Sequence, residues 1–593
     1  MPDIVLTAHP PTSDTTAAAV RRRPQGRGWT VLTLTVAGLI SLPVLVVFSR
    51  IFADTGGVWA HLASTVLPQY VANTLLLMLG AGALALVIGV ATAWLVTMMR
   101  FPLVRVFEWA LLLPLAVPAY VMAYVYTDLL SFAGPVQAAI RDLTGWGYGD
   151  YWFPRIRSLP GAALMLGLVL YPYVYLLARA AFIEQSICVL EVSRTLGRGP
   201  WRSFFGVALP LARPAIAAGV ALVLMEVIAD YGTVQYFGVP TFTTGIYRTW
   251  FGLGQPDAAA QLAAVLLMFV AVLFALERAS RGRSRYHHMT RRYQALTPRL
   301  LRGWHAVAAV AACALPLLLG FVVPAADLAH LAVTRGDPLF GRAFLPFALN
   351  SLVLALVTAA IAVAVSLLLA YGIRQRPTPY NCSAIRVASL GYAVPGSVIA
   401  VGVLIPFAAF DNALDSLLRA TLGISSGLLL TGTISALVFA YLVRFLAVSY
   451  NTVEASLGRI SPSMDMAART LGHGARATLI KVHAPMMRGG ILTAALLVFV
   501  DVMKELPATL IVRPFNFDTL AIRVYRLASD ERLAEASTAA LAIVLVGVLP
   551  VIVLSRAIAR SRPGAAAGTM PVEDRAVRRV DGMTSVSVER PAE

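Results

Sequence analysis

Charge is scarce in this chain of 593 residues: only 13% are Asp, Glu, Lys or Arg, against about a quarter in soluble domains, while 58% are hydrophobic. Lysine is scarcer still, with Lys481 and Lys504 the only two among 48 basic residues. Neither lies in a glycine-rich loop followed by Ser or Thr, so the chain carries no Walker A phosphate cradle, and its energy must come from a separate subunit or an ion gradient. Cysteine numbers three. Cys188 and Cys382 fall in segments expected on the cytoplasmic side and Cys313 within an apolar run, which argues against a structural disulfide.

What fills the chain instead is a succession of apolar runs long enough for a hydrocarbon core of about 30 Å, each requiring about 20 residues. Helices are expected, because an unbroken helix satisfies its own backbone in lipid. Six spans are predicted near 30–49, 69–98, 107–130, 161–182, 213–233 and 258–276, and six more near 304–326, 347–373, 387–408, 425–450, 490–512 and 534–556. The first follows a basic run but is too long for a signal-peptide core and is followed by no small-residue cleavage site, so it reads as an uncleaved helix.

The net charge of +18 is concentrated in three clusters: Arg21, Arg22, Arg23 and Arg27; Arg278, Arg281, Arg283, Arg285, Arg291 and Arg292; and Arg556, Arg560 and Arg562. An even span count puts all three on one side, which the positive-inside rule makes the cytoplasm, with both termini there and no nucleic acid needed as partner. The expected organisation is a disordered basic stretch over 1–28, a first membrane unit over 29–277, a basic linker over 278–303, a second unit over 304–560 and a disordered tail over 561–593.

The two units are copies. Asn73-Thr-Leu matches Asn350-Ser-Leu and Val117-Pro118 matches Val394-Pro395 at an offset of 277; Gly197, Pro210, Phe242 and Arg248 match Gly472, Pro485, Phe517 and Arg523 at 275. Six spans per copy insert both in the same orientation, giving two parallel halves with a path between them. The same layout suits a secondary transporter of two six-helix halves, and duplication can also merely enlarge a scaffold.

Each copy carries a polar segment between its fourth and fifth spans, LEVSRTLGRGP at 190–200 and MAARTLGHGAR at 466–476. Both read as helix, glycine, helix, proline. In the second, Ser461-Pro462 starts a helix, Asp465 suits its positive end, Gly472 stops it, and a short helix over 475–483 ends before Pro485. In the first, Gly197 is the stop, Pro200 the restart and Pro210 the end. Trp201, Phe204, Phe205 and Val207 in one copy and Leu479, Ile480 and Val482 in the other give apolar faces beside Arg198, Arg202, Arg476 and Lys481, suited to a protein groove or a lipid interface.

Glu191, Gly197 and Val207-Ala-Leu-Pro210 resemble the EAA loop of binding-protein-dependent ABC importer permeases, with Val192 and Ser193 in place of two alanines. The second copy retains Ala467, Ala468, Gly472, Val482 and Pro485 but has Met466 in place of the glutamate, with Asp465 beside it as a candidate substitute, and Ala484 in place of the leucine. The fused layout, YPYVYLLARAAFIEQS at 171–186 and RVYRLASDERLAEAS at 523–537 are similar to the iron(III)-type permeases. That resemblance implies an all-α, type I importer fold in a bacterial inner membrane, and a transport subunit rather than an enzyme. It implies coupling loops seated in two copies of a cytoplasmic ATPase that holds the ATP, and a periplasmic or extracellular binding protein that brings the substrate. The chain itself binds no cofactor on this reading, and relatives carry thiamine, phosphonates or polyamines.

Acids recur as well: Glu226 and Asp230 are four apart, as are Asp501 and Glu505 at the 275 offset, a spacing that puts both carboxylates of a pair on one helix face. Two readings stand. The acids line a path for a hard cation, helped by Tyr231 or Tyr236, or they pair with Lys504, Arg248 and Arg523 to hold helix ends together. Arg179 and Arg444, near span ends, are expected to snorkel.

Overall fold

The computed structural model describes residues 27–147, 149–184, 200–281, 299–338, 340–341 and 344–561. Most of the basic clusters, both presumed tails and Cys188 lie outside these residues. Among the described residues ten helices are long and apolar enough to cross a bilayer, and two bent helix pairs, each counted as one span, bring the number to twelve. In the first half these are Gly28–Phe52, Leu67–Met98, the pair Val104–Ala116 and Ala119–Thr144, then Leu159–Ile183, Phe204–Ala229 and Pro256–Leu276. In the second they are Trp304–Thr334, Leu345–Gln375, Gly396–Leu422, Ile434–Leu457, the pair Ala475–Met486 and Arg488–Met503, and Leu533–Val553. Six and six in chain order is the arrangement expected from the apolar runs.

The interruptions are where structure and expectation part. The third span, expected to run unbroken over 107–130, turns by 91° between Ala116 and Ala119. Val117 is extended (ψ 119°) and Pro118 sits at φ −61°, ψ 140°. The matched dipeptide repeats the break: Val394 has ψ 125° and Pro395 φ −56°, ψ 142°, just before Gly396–Leu422. A residue before proline avoids the α region, and proline has no N–H to carry the ladder onward. The tenth span starts at Ile434 rather than near 425. The loop before it is held by two carboxylates: Asp415 accepts the Ser426 N–H at 2.8 Å, and Asp411 accepts those of Leu430 and Thr431 at 3.1 and 2.7 Å. Those amides are spent on side chains instead of on a helix.

The halves are interlocked. The first span packs on helices of the second half, with Trp29 edge-on to Tyr371 at 5.4 Å between ring centres. The seventh span packs on the first half in return, where the Tyr126 hydroxyl donates to the Leu319 carbonyl at 2.6 Å. At the membrane edge Met99–Arg100 pairs in parallel with Arg299–Leu300, tying the chain that enters the second half to the end of the second span.

Arg179 and Arg444 do not snorkel. Both are buried. Arg179 lies over the third span, its Nη2 3.1 Å from Glu108 Oε2 and its Nη1 donating to the Glu108 carbonyl at 3.2 Å, while the Tyr175 hydroxyl donates to the same carbonyl at 2.9 Å. An anion within reach satisfies a guanidinium without the entropy cost of stretching it to the headgroups. Replacing Glu108 with Ala leaves Arg179 buried without its anion and should destabilise the protein by about 3 kcal/mol. The double change Glu108→Met with Arg179→Met should recover most of that loss; thermal unfolding in detergent of both variants checks it.

Candidate functional site

The polar segment between the fourth and fifth spans of each half is its arm, and the second arm, Pro462–His483, folds as a helix, a left-handed stop and a second helical segment. Ser461 is extended ahead of Pro462–Thr470, although its hydroxyl pairs with Ser463 Oγ at 2.7 Å and caps no backbone N–H. Gly472 takes φ +79°. The His473 N–H then reaches the Ala468 carbonyl at 2.9 Å and the Gly472 N–H reaches that of Arg469 at 3.0 Å, the two bonds of a Schellman stop. Ala468 is buried beneath the arm and Ala467 exposed above it.

The arm is bolted to the eighth span by Arg374. Its guanidinium donates to Asp465 Oδ2 at 2.8 and 2.6 Å and to the carbonyls of Leu457 and Ile460 at 2.8 and 2.9 Å, and the Tyr371 hydroxyl reaches the Ala475 carbonyl at 2.8 Å. His483 Nε2 lies 3.0 Å from Asp465 Oδ1. Asp465 is therefore turned inward. The outward surface of the arm includes Met466, Leu471 and Ile480, all exposed.

Neither arm ends at its proline. Five-residue π-turns, Phe204–Ala208 and Leu479–His483, directly precede helices Leu209–Ala229 and Ala484–Met486, which contain Pro210 and Pro485. A π-turn widens the helix and relieves the clash between the proline ring and the carbonyl four residues earlier, so the helix survives it. In the second half the bend falls two residues after Pro485, at Met487, where the axis turns by 80°. The arms also match in burial: Ser203 and Thr478 are buried, as are Ala208 and His483, while Phe205 and Ile480 are 60% and 56% exposed. Glu191 and Gly197 lie outside the described residues.

Between the halves is a cavity of about 110 Å³ whose wall includes all four predicted acids, Glu226, Asp230, Asp501 and Glu505. They do not sit as two i,i+4 pairs on continuous helices. The fifth span ends at Ala229, Asp230 is extended (ψ 134°), and a short helix restarts at Gly232. Asp230 accepts from Thr233 Oγ1 at 3.0 Å and the Val234 N–H at 3.1 Å. The eleventh span likewise ends at Met503, and Glu505 accepts the Ala508 N–H at 3.0 Å in the helix that restarts at Pro507. In each half the second acid stands one residue before the N-cap of a restarted helix and accepts an amide of its first turn.

The partners differ from those expected. Lys504 Nζ lies 3.0 Å from Asp501 Oδ1, as anticipated, but Glu505 faces Arg444, with Nε 3.5 Å from Oε2. Arg523 binds Asp337 at 3.0 Å, away from the cavity, and Arg248 forms an ion pair with none of the four. Glu226 accepts a hydrogen bond from the Tyr392 hydroxyl of the other half at 3.1 Å. Tyr231 lines the cavity, joined by Tyr120, Tyr173 and Tyr392, which sequence reasoning had not singled out. Their signal was present in Tyr-Pro-Tyr at 171–173 and in the Val-Pro breaks that put Tyr120 and Tyr392 within three residues of a proline.

At the end of the fourth span away from the arms lies a cleft of about 1350 Å³, lined by Trp152, Phe153, Arg157, Tyr236 and Glu531 among others. Arg157 spans the halves there, with Nη2 3.0 Å from the Tyr236 hydroxyl and 3.3 Å from Glu531 Oε1. Tyr236 leads inward to Tyr124 (centroids 4.5 Å) and Tyr124 to Tyr120 (5.9 Å), so tyrosines run from cleft to cavity.

The chain has relatives of both whole and half length. Over 543 residues it is 26% identical to the Fe(3+)-transport system permease protein FbpB 2 of Haemophilus influenzae, a match covering 89% of this chain and 98% of the relative. The putative ferric transport system permease protein FbpB 1 of the same organism is 23% identical over 520 residues, 83% of this chain and 78% of the relative. The molybdenum transport system permease protein ModB of Escherichia coli is 27% identical over 206 residues, which is 87% of that protein but 33% of this chain, as a single-repeat relative would be. Residues 85–279 match the family described as the binding-protein-dependent transport system inner membrane component. With up to twelve spans in two repeats, paired arms and a lined cavity between the halves, the chain is similar along nearly its whole length to ferric transport permeases, and over residues 85–279 to the binding-protein-dependent inner membrane components.

Proposed function

We propose that this permease passes iron(III) from a binding protein docked over the tyrosine-lined cleft, through the central cavity, to the side of the arms, driven by two copies of a separate ATPase seated on those arms. Both termini lie with the arms on the cytoplasmic side. The observation that carries the substrate is the cavity wall: four carboxylates against two cations, with tyrosine hydroxyls between them. Hard trivalent cations favour oxygen ligands of this kind. An oxyanion such as that named for the molybdenum relative would meet an excess of negative charge, worth about 4 kcal/mol for a single pair of like charges 4 Å apart at an effective dielectric of 20. The ferric names of the two long relatives support the same choice.

The arms and the acids give separate tests. Gly472 sits in a conformation that costs an L side chain roughly 1–2 kcal/mol, so Gly472→Val should loosen the stop and reduce both ATPase pull-down and substrate-stimulated ATP hydrolysis. Uptake that continues in the absence of any ATPase, driven by a proton gradient, would refute the coupling.

For the path, Glu226→Gln with Asp230→Asn is the cleaner neutralisation, because neither acid forms an ion pair and the amide oxygen of Asn still accepts the Thr233 and Val234 bonds. Iron uptake per assembled complex should fall at least roughly tenfold, the effect of about 1.4 kcal/mol on a barrier, with ATPase docking unchanged. Undiminished uptake would take the cavity acids out of the mechanism.

A further inference from the structure

The two halves contribute acids to the cavity equally, but not cations. Glu226 and Asp230 in the first half answer Asp501 and Glu505 in the second at the offset of 275; at that same offset Lys504 answers Ala229 and Arg444 answers Val169. Both cations of the cavity wall therefore belong to one half.

They are held differently. Arg444 and Glu505 are buried, with side chains 8% and 5% exposed, and they are walled in by Gly396, where an added Cβ would lie 2.5 Å from Arg444 Nη1 and 2.6 Å from Glu505 Oε1. That pair is closely packed on the Gly396 side. Lys504 and Asp501 keep 29% and 20% of their side-chain surface open, and a lysine ammonium is a compact charge on a flexible four-carbon stem. It can swing away from its carboxylate while the backbone stays in place.

We propose that Lys504 is a tethered counter-ion of the path: in the empty cavity its ammonium neutralises Asp501, and a cation in transit gains Asp501 by displacing it. The inference rests on the reading of the cavity as a cation path. It gives the cavity a charge threshold. A monovalent ion offers Asp501 no more than Lys504 already does, a divalent ion about twice as much and a trivalent ion about three times as much at the same distance. Arg444 remains on Glu505 throughout and sets no such threshold.

The scarcity of lysine makes this directly measurable. In a Lys481→Arg background Lys504 is the only lysine of the chain, so an amine-reactive reagent followed by peptide mapping reports on it alone. In the full complex in proteoliposomes, its labelling should rise at least roughly threefold when iron(III), or redox-inert gallium(III), is supplied with the binding protein, and should stay at the resting level with potassium. Labelling indifferent to the trivalent ions overturns the proposal.

A second arm uses Lys504→Met, and Lys504→Met with Asp501→Asn in case the single change leaves too little folded protein. Either variant should raise manganese(II) passage relative to iron(III) at least roughly fivefold, and Lys504→Arg should restore discrimination. An unchanged ratio in a folded variant overturns the proposal. Were Glu226→Gln with Asp230→Asn to leave iron uptake intact, the cation path itself would fail. Were that double variant inactive while Lys504→Met discriminated as the parent does, the counter-ion alone would fail.

Discussion

A backbone in hydrocarbon has no water to bond to, so each N–H and C=O must be satisfied from within the protein. Irregular backbone at membrane depth is tolerable only where protein or a lined cavity surrounds it, and here the irregularities converge. Val117, Pro118, Asp230 and Glu505 all line the cavity, and Gly396, next to the Val394-Pro395 break, abuts Glu505. At the acidic breaks a carboxylate takes up amides that the interrupted helix leaves free; at the Val-Pro breaks proline has no amide to leave. The cost of breaking four spans is thus offset by groups that also give the cavity its charge.

The same helices join arm to cavity, in one element in the first half and two in the second. In the first half the π-turn beside the arm runs without a bend into the helix that ends at Ala229, one residue before Asp230. In the second, Ala475–Met486 turns by 80° into Arg488–Met503, which delivers Lys504 and Glu505. The 21 helical residues of Leu209–Ala229 span about 32 Å as one rod from arm to cavity, whereas the 16 of Arg488–Met503, about 24 Å, begin beyond the corner. The 80° corner in one half and its absence in the other make the two rods mechanically unequal.

Much of this was legible in the residues, and the failures have physical causes. The twelve spans, the duplication and the arms follow from apolar run length, constant offsets and matched glycine and proline positions, all local signals. The breaks were written in Val117-Pro118 and Val394-Pro395, but the pull of continuous hydrophobicity concealed both inside apparent single spans, over 107–130 and 387–408. Pro210 and Pro485 read as helix ends because the rule for the residue before proline is local, whereas a π-turn is an adjustment of the whole turn. Arg444 read as a snorkelling residue, and Asp465 as a partner-facing acid, because Glu505 and Arg374 lie 61 and 91 residues away in the chain. Such pairings depend on which helices pack together, and no periodicity encodes that.

Fusion of the repeats into one chain has a consequence for the charge of the path. In a dimer of identical half-length subunits, a Lys504 equivalent would enter the cavity twice and so would an Arg444 equivalent, giving four cations against four carboxylates and no net charge. In one chain the copies are free to diverge, and Ala229 and Val169 occupy the matching positions of the first half. Glu226 and Asp230 thereby face the cavity held by hydrogen bonds from hydroxyl and amide donors, while Asp501 and Glu505 each form an ion pair with a neighbour. On the proposed path a cation thus meets one pair of acids held by hydrogen bonds and another held in ion pairs. Attraction sufficient to admit it need not become a four-carboxylate trap from which a trivalent ion cannot leave, and this balance is available only to a permease whose halves are alike in fold and unlike in charge.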